Sequence, residues 1–272
     1  MLRNKTLPFL LGILLLALFL TAAVLPRLFT AYGQKEMFEA WEKPAADHLL
    51  GTNALGYDVF TELVYGTRDT LFIGLMSSIF TLLLGVMIGT LAAQSGVLGG
   101  LFDGIINVFV LLPRLITLIV LSAFIGTGRW HLIALIALFG WAPTARAVRE
   151  RVKHLRVQPF VEALTVQGFS RLQIAIRHML PNLADILLTR FLLGVNSCIM
   201  MESTLSFLGF GDLYHPTWGT MINLAYRRGA FLRQAYAYLL IPGLCIMLLS
   251  LAFYLISLWF SKRKEIIAES NS

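Results

Sequence analysis

A chain of 272 residues that is 57% hydrophobic and 14% charged does not read as a soluble domain, because its apolar residues come in blocks of about 20, the length that spans a bilayer. Its net charge of +7 therefore reports topology and not a nucleic-acid surface; aromatic and basic residues are not interleaved as base stacking would require. The two cysteines, Cys198 and Cys245, lie inside apolar runs with no CxxC or Cys/His spacing, which argues against a disulfide framework or a metal site and leaves them small, buried and inert.

In chain order, Arg3 and Lys5 precede an apolar run from about residue 7 to 25. A cleavable signal peptide, with Ala22-Ala23 near its cleavage point, is the rival reading. The run exceeds the usual apolar core of such a peptide and further spans follow, so an uncleaved first helix is expected. Residues 26–69 form the longest polar stretch, and its acids (Glu36, Glu39, Glu42, Asp47, Asp58, Glu62 and Asp69) outnumber its Lys and Arg. That excess favours an external loop. A second span is expected at 70–93, where Gly74, Ser77, Ser78, Gly85 and Gly89 would let neighbouring helices approach closely. The third is expected at 102–125 and the fourth at 131–146, with Pro113 and Pro143 kinking them. The fifth and sixth follow at 183–208 and 235–260. Trp41, Trp130, Trp141, Trp218 and Trp259 fall mostly near span ends and read as an interfacial belt.

Between spans four and five the chain turns polar. A basic cluster (Arg146, Arg149, Arg151, Lys153, Arg156) leads into residues 161–182, where Glu162 and Ala163 open a short helix. Gly168 suits a turn, because glycine alone reaches positive φ without a steric penalty. A second short helix carries Leu172, Ala175, Ile176 and Met179 on one face, with Arg171, Gln173 and Arg177 off that stripe. Leu180-Pro181-Asn182 ends it, since proline disfavours helix at the residue before it. With both termini inside, twelve Lys and Arg fall on inner segments and eight on outer ones. The bias is modest, and the basic cluster and Lys262-Arg263-Lys264 carry it. Arg227, Arg228 and Arg233 run against the rule and fit an interfacial or partly re-entrant segment.

Catalytic signatures are missing. No GxxxxGK[ST] phosphate loop, HExxH or GxSxG occurs and no carboxylate pair is placed for acid–base work, so the chain should not bind ATP by a phosphate loop and no residue set supports an enzyme. His48, His131, His154, His178 and His215 are scattered and offer no ligand spacing, so no metal site is expected. Arg114 and Glu202 stand inside spans, where a charge costs about 2.5–3.5 kcal/mol at mid-helix. Either Arg114 faces an internal pathway or it forms a structural ion pair with Glu202, which would brace helix packing near the outer end. Asp185 and Arg190, near the inner end of span five, could reach the interface by snorkelling.

The pattern Glu162-Ala163, Gly168, His178-Met179-Leu180-Pro181-Asn182 resembles the "EAA" loop of permease subunits in binding-protein-dependent ABC importers, although Leu164 stands where a second alanine is usual. HLLGTNALGYDVFTELVYGTRDTL at 48–71, the run from Glu202 to Gly209, and Pro216-Thr217-Trp218-Gly219 are similar to the branch carrying dipeptides, oligopeptides and nickel. Asn53 and Tyr57 replace that branch's more usual Asp and Arg, so no role is assigned to them.

The resemblance implies an all-α integral membrane protein with six transmembrane helices, in the MetI-like type I importer permease fold, with a cytoplasmic coupling helix. Residues 1–69 would be the first helix and an external loop. Residues 70–260 would be a five-helix core containing the coupling loop 146–182, and 261–272 a cytoplasmic tail. Glu162, Ala163, Gly168, Arg171, Arg177, His178, Leu180 and Pro181 would dock on a separate ATPase; Arg114 and Glu202 are the candidate pathway or intramembrane charges. Implied partners are a second permease of similar fold, two ATPase subunits, an external solute-binding protein and membrane lipid, with no nucleic acid. ATP and Mg would be bound by the ATPases, leaving this chain without a cofactor, in the bacterial cytoplasmic (inner) membrane with both termini inside. Dipeptides, oligopeptides, glutathione-like molecules and nickel or metal chelates all fit as cargo. The alternatives are an ion-coupled secondary transporter, which would place coupling carboxylates at mid-membrane, and a membrane enzyme.

Overall fold

The computed structural model describes residues 6–270, with side chains throughout except at Arg171, Leu172 and 262–270. Arg3, Lys5, Arg171 and Lys262-Arg263-Lys264, used above for topology or docking, therefore have no described side chains. The described secondary structure is helical apart from two isolated bridges, Met37–Tyr57 and Thr52–Asp58. Five stretches are long and apolar enough to cross a membrane: Thr6–Val24 (α1), Val59–Ala92 (α2), Arg129–Arg156, Pro181–Phe210 and Tyr236–Ser261. A sixth candidate is a broken pair, Val97–Leu111 (α3) and Arg114–Ile125 (α4), bent by 87°.

That break corrects the expected third span. Pro113 disfavours the helical region for the residue before it, and Leu112 is extended at ψ 132°. The chain turns a corner, so Arg114 is not in mid-helix but is the first residue of α4.

α2 is the mast of the bundle. Its 34 residues run about 51 Å at 1.5 Å per residue, and α1, α3 and four of the helices described below pack on it. It begins at Val59, eleven residues before the expected span, because Asp58 caps it: Asp58 Oδ1 accepts the Thr61 N–H at 2.7 Å. Such a cap satisfies one of the donors a helix start leaves orphaned. Close approach along α2 depends on lacking a side chain. A Cβ on Gly89 would stand 2.5 Å from the Ala145 carbonyl oxygen, and one on Gly85 would stand 2.7 Å from Thr144 Cβ.

The fourth span is longer than expected. Arg129–Gly140 (α5) and Ala142–Arg156 (α6) join through Trp141, which is itself helical at φ −75°, ψ −27°. Pro143 falls in the first turn of α6, where its missing N–H is no loss. The helix therefore does not stop at residue 146; it carries the basic cluster onward on the same rod. After it come Pro159–Val166 (α7), Arg171–Ile174 (α8) and Ala184–Leu205 (α9).

Residues 209–234, expected as loop, contain Trp218–Arg227 (α10). Thr217 and Thr220 form a reciprocal capping box, and Trp218 is fully buried, donating Nε1–H to the Leu63 carbonyl at 3.0 Å and its backbone N–H to Thr70 Oγ1 at 3.1 Å. Trp218 and Trp141 are therefore core residues, not members of an interfacial belt. Tyr236–Ser270 (α11) closes the bundle. α1 packs along it, with Phe9 stacked on Trp259 at 4.5 Å, and reaches α10 where Phe19 lies edge-on to Trp218 at 5.3 Å.

The segment before α2 is pinned by buried polar contacts. His48 Nδ1 lies 3.0 Å from Asp58 Oδ2, and Thr30 and Thr61 share a 2.6 Å hydroxyl bond. Asn53, left without a role above, accepts the Leu55 and Tyr57 N–H groups and donates to Glu62 Oε2 at 2.9 Å. It closes its own turn and ties that turn to α2.

Candidate functional site

Residues 157–183 stand on a hydrophobic core of their own. Val161, Ile174, Ala175, Met179 and Leu183 pack with Val148 and Val152 of α6 and Ala93 at the end of α2. Leu164, Phe169, Leu180 and Leu187 fill its edge. Because interiors are close-packed and transmit strain, this core fastens the segment to α2, α6 and α9 together.

The local chemistry explains why it holds one shape. Pro159 sits in the first turn of α7, where proline is preorganised, and Glu162 lies in the same turn, placing its charge at the positive end of the helix dipole. α7 ends in a Schellman motif: Phe169 N–H bonds the Leu164 carbonyl at 3.2 Å and Gly168 N–H bonds that of Thr165 at 3.0 Å. Gly168 has φ +89°, the left-handed position this motif reserves for glycine. Ser170 and Gln173 then cap each other to start α8: Ser170 N–H donates to Gln173 Oε1 at 3.0 Å, and Gln173 N–H to Ser170 Oγ at 3.3 Å.

The expected apolar stripe is corrected here. Ala175–Met179 forms a π-turn, with Leu180 N–H bonded to the Ala175 carbonyl at 2.9 Å. Its i→i+5 spacing shifts the phase of the helix. Ile174 is buried in place of Ile176, which is 54% exposed. Leu172 lies outside the described side chains.

Of the residues singled out from sequence, Glu162, Ala163, Gly168, Arg177 and Pro181 are exposed, and Leu180 is half-buried on the core. His178 is half-buried edge-on to Phe169 at 5.5 Å, and its Nε2 is buried with no hydrogen-bond partner among the described residues. Three further residues belong to the outer face. Val157 and Val166 are more than three-quarters exposed, and Ile176 joins them. Val157 and Val166 could have been found as apolar residues off the buried face of an otherwise polar segment; Ile176 could not, because its spacing put it on that face.

The two intramembrane charges do not meet. Arg114 Nη1 donates to Ser197 Oγ at 3.4 Å, whereas the fully buried Glu202 accepts from Ser206 at 2.6 Å, Thr217 at 2.7 Å and Ser203 at 3.2 Å. Glu202 thus ties the end of α9 to the cap of α10. Arg114 and Arg190 line a cavity of about 170 Å³. It shares Arg190 and Leu193 with a cleft of about 590 Å³ between α6, α9 and α11. Asp185 and Arg190 line that cleft together instead of simply reaching for the interface.

At the opposite end of the bundle a clasp joins three elements. Asp212 Oδ2 accepts the Arg129 N–H at 3.1 Å and lies 3.0 Å from His215 Nδ1, and Arg129 Nη1 is 3.5 Å from Asp69 Oδ1. Burial pushes the Asp212 carboxyl up, but His215 and the N–H groups of Tyr214 and Arg129 outweigh it and hold the carboxyl below its ordinary value. Among the described residues no group of three His, Cys, Asp or Glu could hold a metal.

Residues 70–266 match the family described as "Binding-protein-dependent transport system inner membrane component". The chain is 35% identical over 213 residues to the dipeptide transport system permease protein DppC of Bacillus subtilis (strain 168), covering 77% of this chain and 67% of that one. It is 30% identical over 219 residues to OppC, the oligopeptide transport system permease protein of the same organism (78% and 71%). With the glutathione transport system permease protein GsiD of Pectobacterium atrosepticum it shares 32% over 224 residues (79% and 71%). Among solved structures it is similar to a chain of the inward-facing MetNI methionine ABC transporter, with a TM-score of 0.51 at 19% identity, covering 73% of this chain and 95% of that one. That last likeness shows the fold.

Proposed function

This chain belongs to the family of binding-protein-dependent transport system inner membrane components, in its dipeptide and oligopeptide branch, and from that premise we propose that it is one permease of an ATP-driven peptide importer, moved through residues 159–183 by a separate ATPase. Its fold is the MetI-like all-helical permease fold, and it is a multi-pass membrane protein. Family membership displaces the ion-coupled transporter and the membrane enzyme as readings, and the relatives named for dipeptides, oligopeptides and glutathione favour peptides over nickel or metal chelates as cargo.

The observation that carries the coupling proposal is the mounting of this segment. A face presenting Glu162, Ala163, Val166, Ile176 and Arg177 is backed by a core shared with α2, α6 and α9. A partner pressing on that face would move three long helices as one body. Nucleotide bound by the partner would bias the bundle between two states, as a hinge or shear device requires. In this proposal a second permease completes the pathway, two ATPases bind the ATP and Mg, and an external binding protein delivers the solute. In this reading residues 146–183 and both termini lie on the cytoplasmic side, which the basic cluster supports. The test is purification of the tagged chain from its own membranes. An ATPase should co-purify, and its peptide-stimulated hydrolysis should be lost in Glu162→Lys and Gly168→Val variants that still insert. Normal stimulation and uptake in both variants would remove the coupling role.

A further inference from the structure

We infer that Arg114 and Arg190 form a subsite for the carboxylate of the moving solute, the C-terminal carboxylate if the cargo is a peptide. This rests on the importer reading and adds a recognition chemistry to it. Three observations carry it. First, the Arg114 guanidinium is built into its place: its Nη2 lies 2.8 Å from where a Cβ of Gly140 would be, and Thr81 Oγ1 lies 2.9 Å from the same point. A side chain at that position would make the guanidinium or the threonine shift. Second, the cation is under-partnered. Its hydrogen bond is the long one to Ser197 Oγ, and its Nε is buried with no partner among the described residues. A desolvated guanidinium without a carboxylate is costly, and its planar fork matches a carboxylate in two parallel bonds.

Third, the surrounding space has the right size and sign. The 170 Å³ cavity is lined by Arg114 and Arg190 together with Thr81, Ser197 and Cys198, and no acid among the described residues lines it. At about 30 Å³ per water it holds the charged end of a solute and not a whole peptide. Arg190 also lines the wider cleft, together with Glu150, Asp185, Arg151 and His154. An anion would thus find two cations in the cavity, whereas in the cleft Glu150 and Asp185 offset Arg151 and Arg190 and the pull on it is weaker.

The test uses the full importer in inside-out membrane vesicles, with a thiol introduced by Ser197→Cys in a Cys198→Ala, Cys245→Ala background. Its labelling by a charged methanethiosulfonate reagent is followed with alanyl-phenylalanine or its C-terminal amide on the exposed inner face. The acid should slow labelling several-fold and the amide should not. Arg114→Gln should abolish that protection and slow the anionic reagent relative to the cationic one; Arg114→Lys should keep part of both. Equal protection by acid and amide, no protection by either, or protection unchanged in Arg114→Gln would overturn the subsite. Uptake of alanyl-phenylalanine by intact cells separates the two readings. Uptake without acid-specific protection overturns the subsite alone, and absence of uptake overturns the peptide importer and this inference with it.

Discussion

The guanidinium of Arg156, in the last turn of α6, donates to the carbonyl of Ala93 at the C-cap of α2 and, at 3.3 Å, to Gln94 Oε1. A cation on the last carbonyls of a helix satisfies orphaned acceptors and complements the negative end of the dipole. Here it also joins two rods, the one leading into residues 157–183 and the mast they are meant to move. Arg156→Met should therefore lower stability by about 1–2 kcal/mol, read as a lower midpoint of thermal unfolding in detergent. It should lower peptide-stimulated ATPase more than basal ATPase. An unchanged ratio of the two would mean that this link does not transmit the stroke.

Gly168 separates conformation from contact. Among the described residues no atom beyond its chain neighbours lies within 4 Å of where its Cβ would be, yet its φ is +89°. Gly168→Ala should cost about 1–2 kcal/mol through the left-handed backbone alone, whereas Gly168→Asn should cost less because asparagine tolerates that region. Uptake should fall in the order Gly, Asn, Ala, then Val. Equal uptake in the alanine and asparagine variants would show that the turn is not what matters.

Removing the Glu202 carboxylate leaves the hydroxyls of Ser206 and Thr217 without their acceptor. Each orphaned buried group costs about 1–3 kcal/mol, so Glu202→Ala should loosen residues 206–217. Limited proteolysis from the face carrying that segment should cut it several-fold faster in the variant, and Glu202→Gln should fall between. Cleavage at the wild-type rate would show that the hub does not hold the segment.

The clasp predicts a pH dependence of known sign. The folded Asp212 carboxyl titrates below its ordinary value of 3.8, so its stabilisation is whole above that value and is lost as pH falls through the lower, folded one. Trp130 stands beside Arg129, whose guanidinium lies 5.8 Å from its ring. Its fluorescence, isolated in a background where the other tryptophans are phenylalanine, should change over that acid range. Asp212→Asn should remove the transition, and a transition that survives would belong to another group.

Much of the bundle was legible because apolar length and turn chemistry are local. Gly168 announced a positive-φ turn, and the small residues of α2 announced close packing. What escaped depended on tertiary partners or on phase. Nothing in the spacing of Ala175–Met179 distinguishes a π-turn from an α-turn, and that one inserted phase step exchanged Ile174 for Ile176 at the core. Pro113 signalled a kink, but the size of the bend, and so the place of Arg114, follows from what packs around it. α10 was missed because its charged end, Arg227 and Arg228, reads as loop, while its burial depends on Leu63 and Thr70 about 150 residues earlier.

The most direct measurement uses Ala163, exposed at the centre of α7. In the Cys198→Ala, Cys245→Ala background, Ala163→Cys is treated in intact cells with a membrane-impermeant maleimide, and in inside-out vesicles with a short bifunctional cross-linker. The thiol should be silent to the maleimide from outside. From inside it should link to an ATPase subunit, with a yield that changes when ATP is added. Labelling from outside, or a thiol that links to no ATPase while the importer is active, would contradict the account.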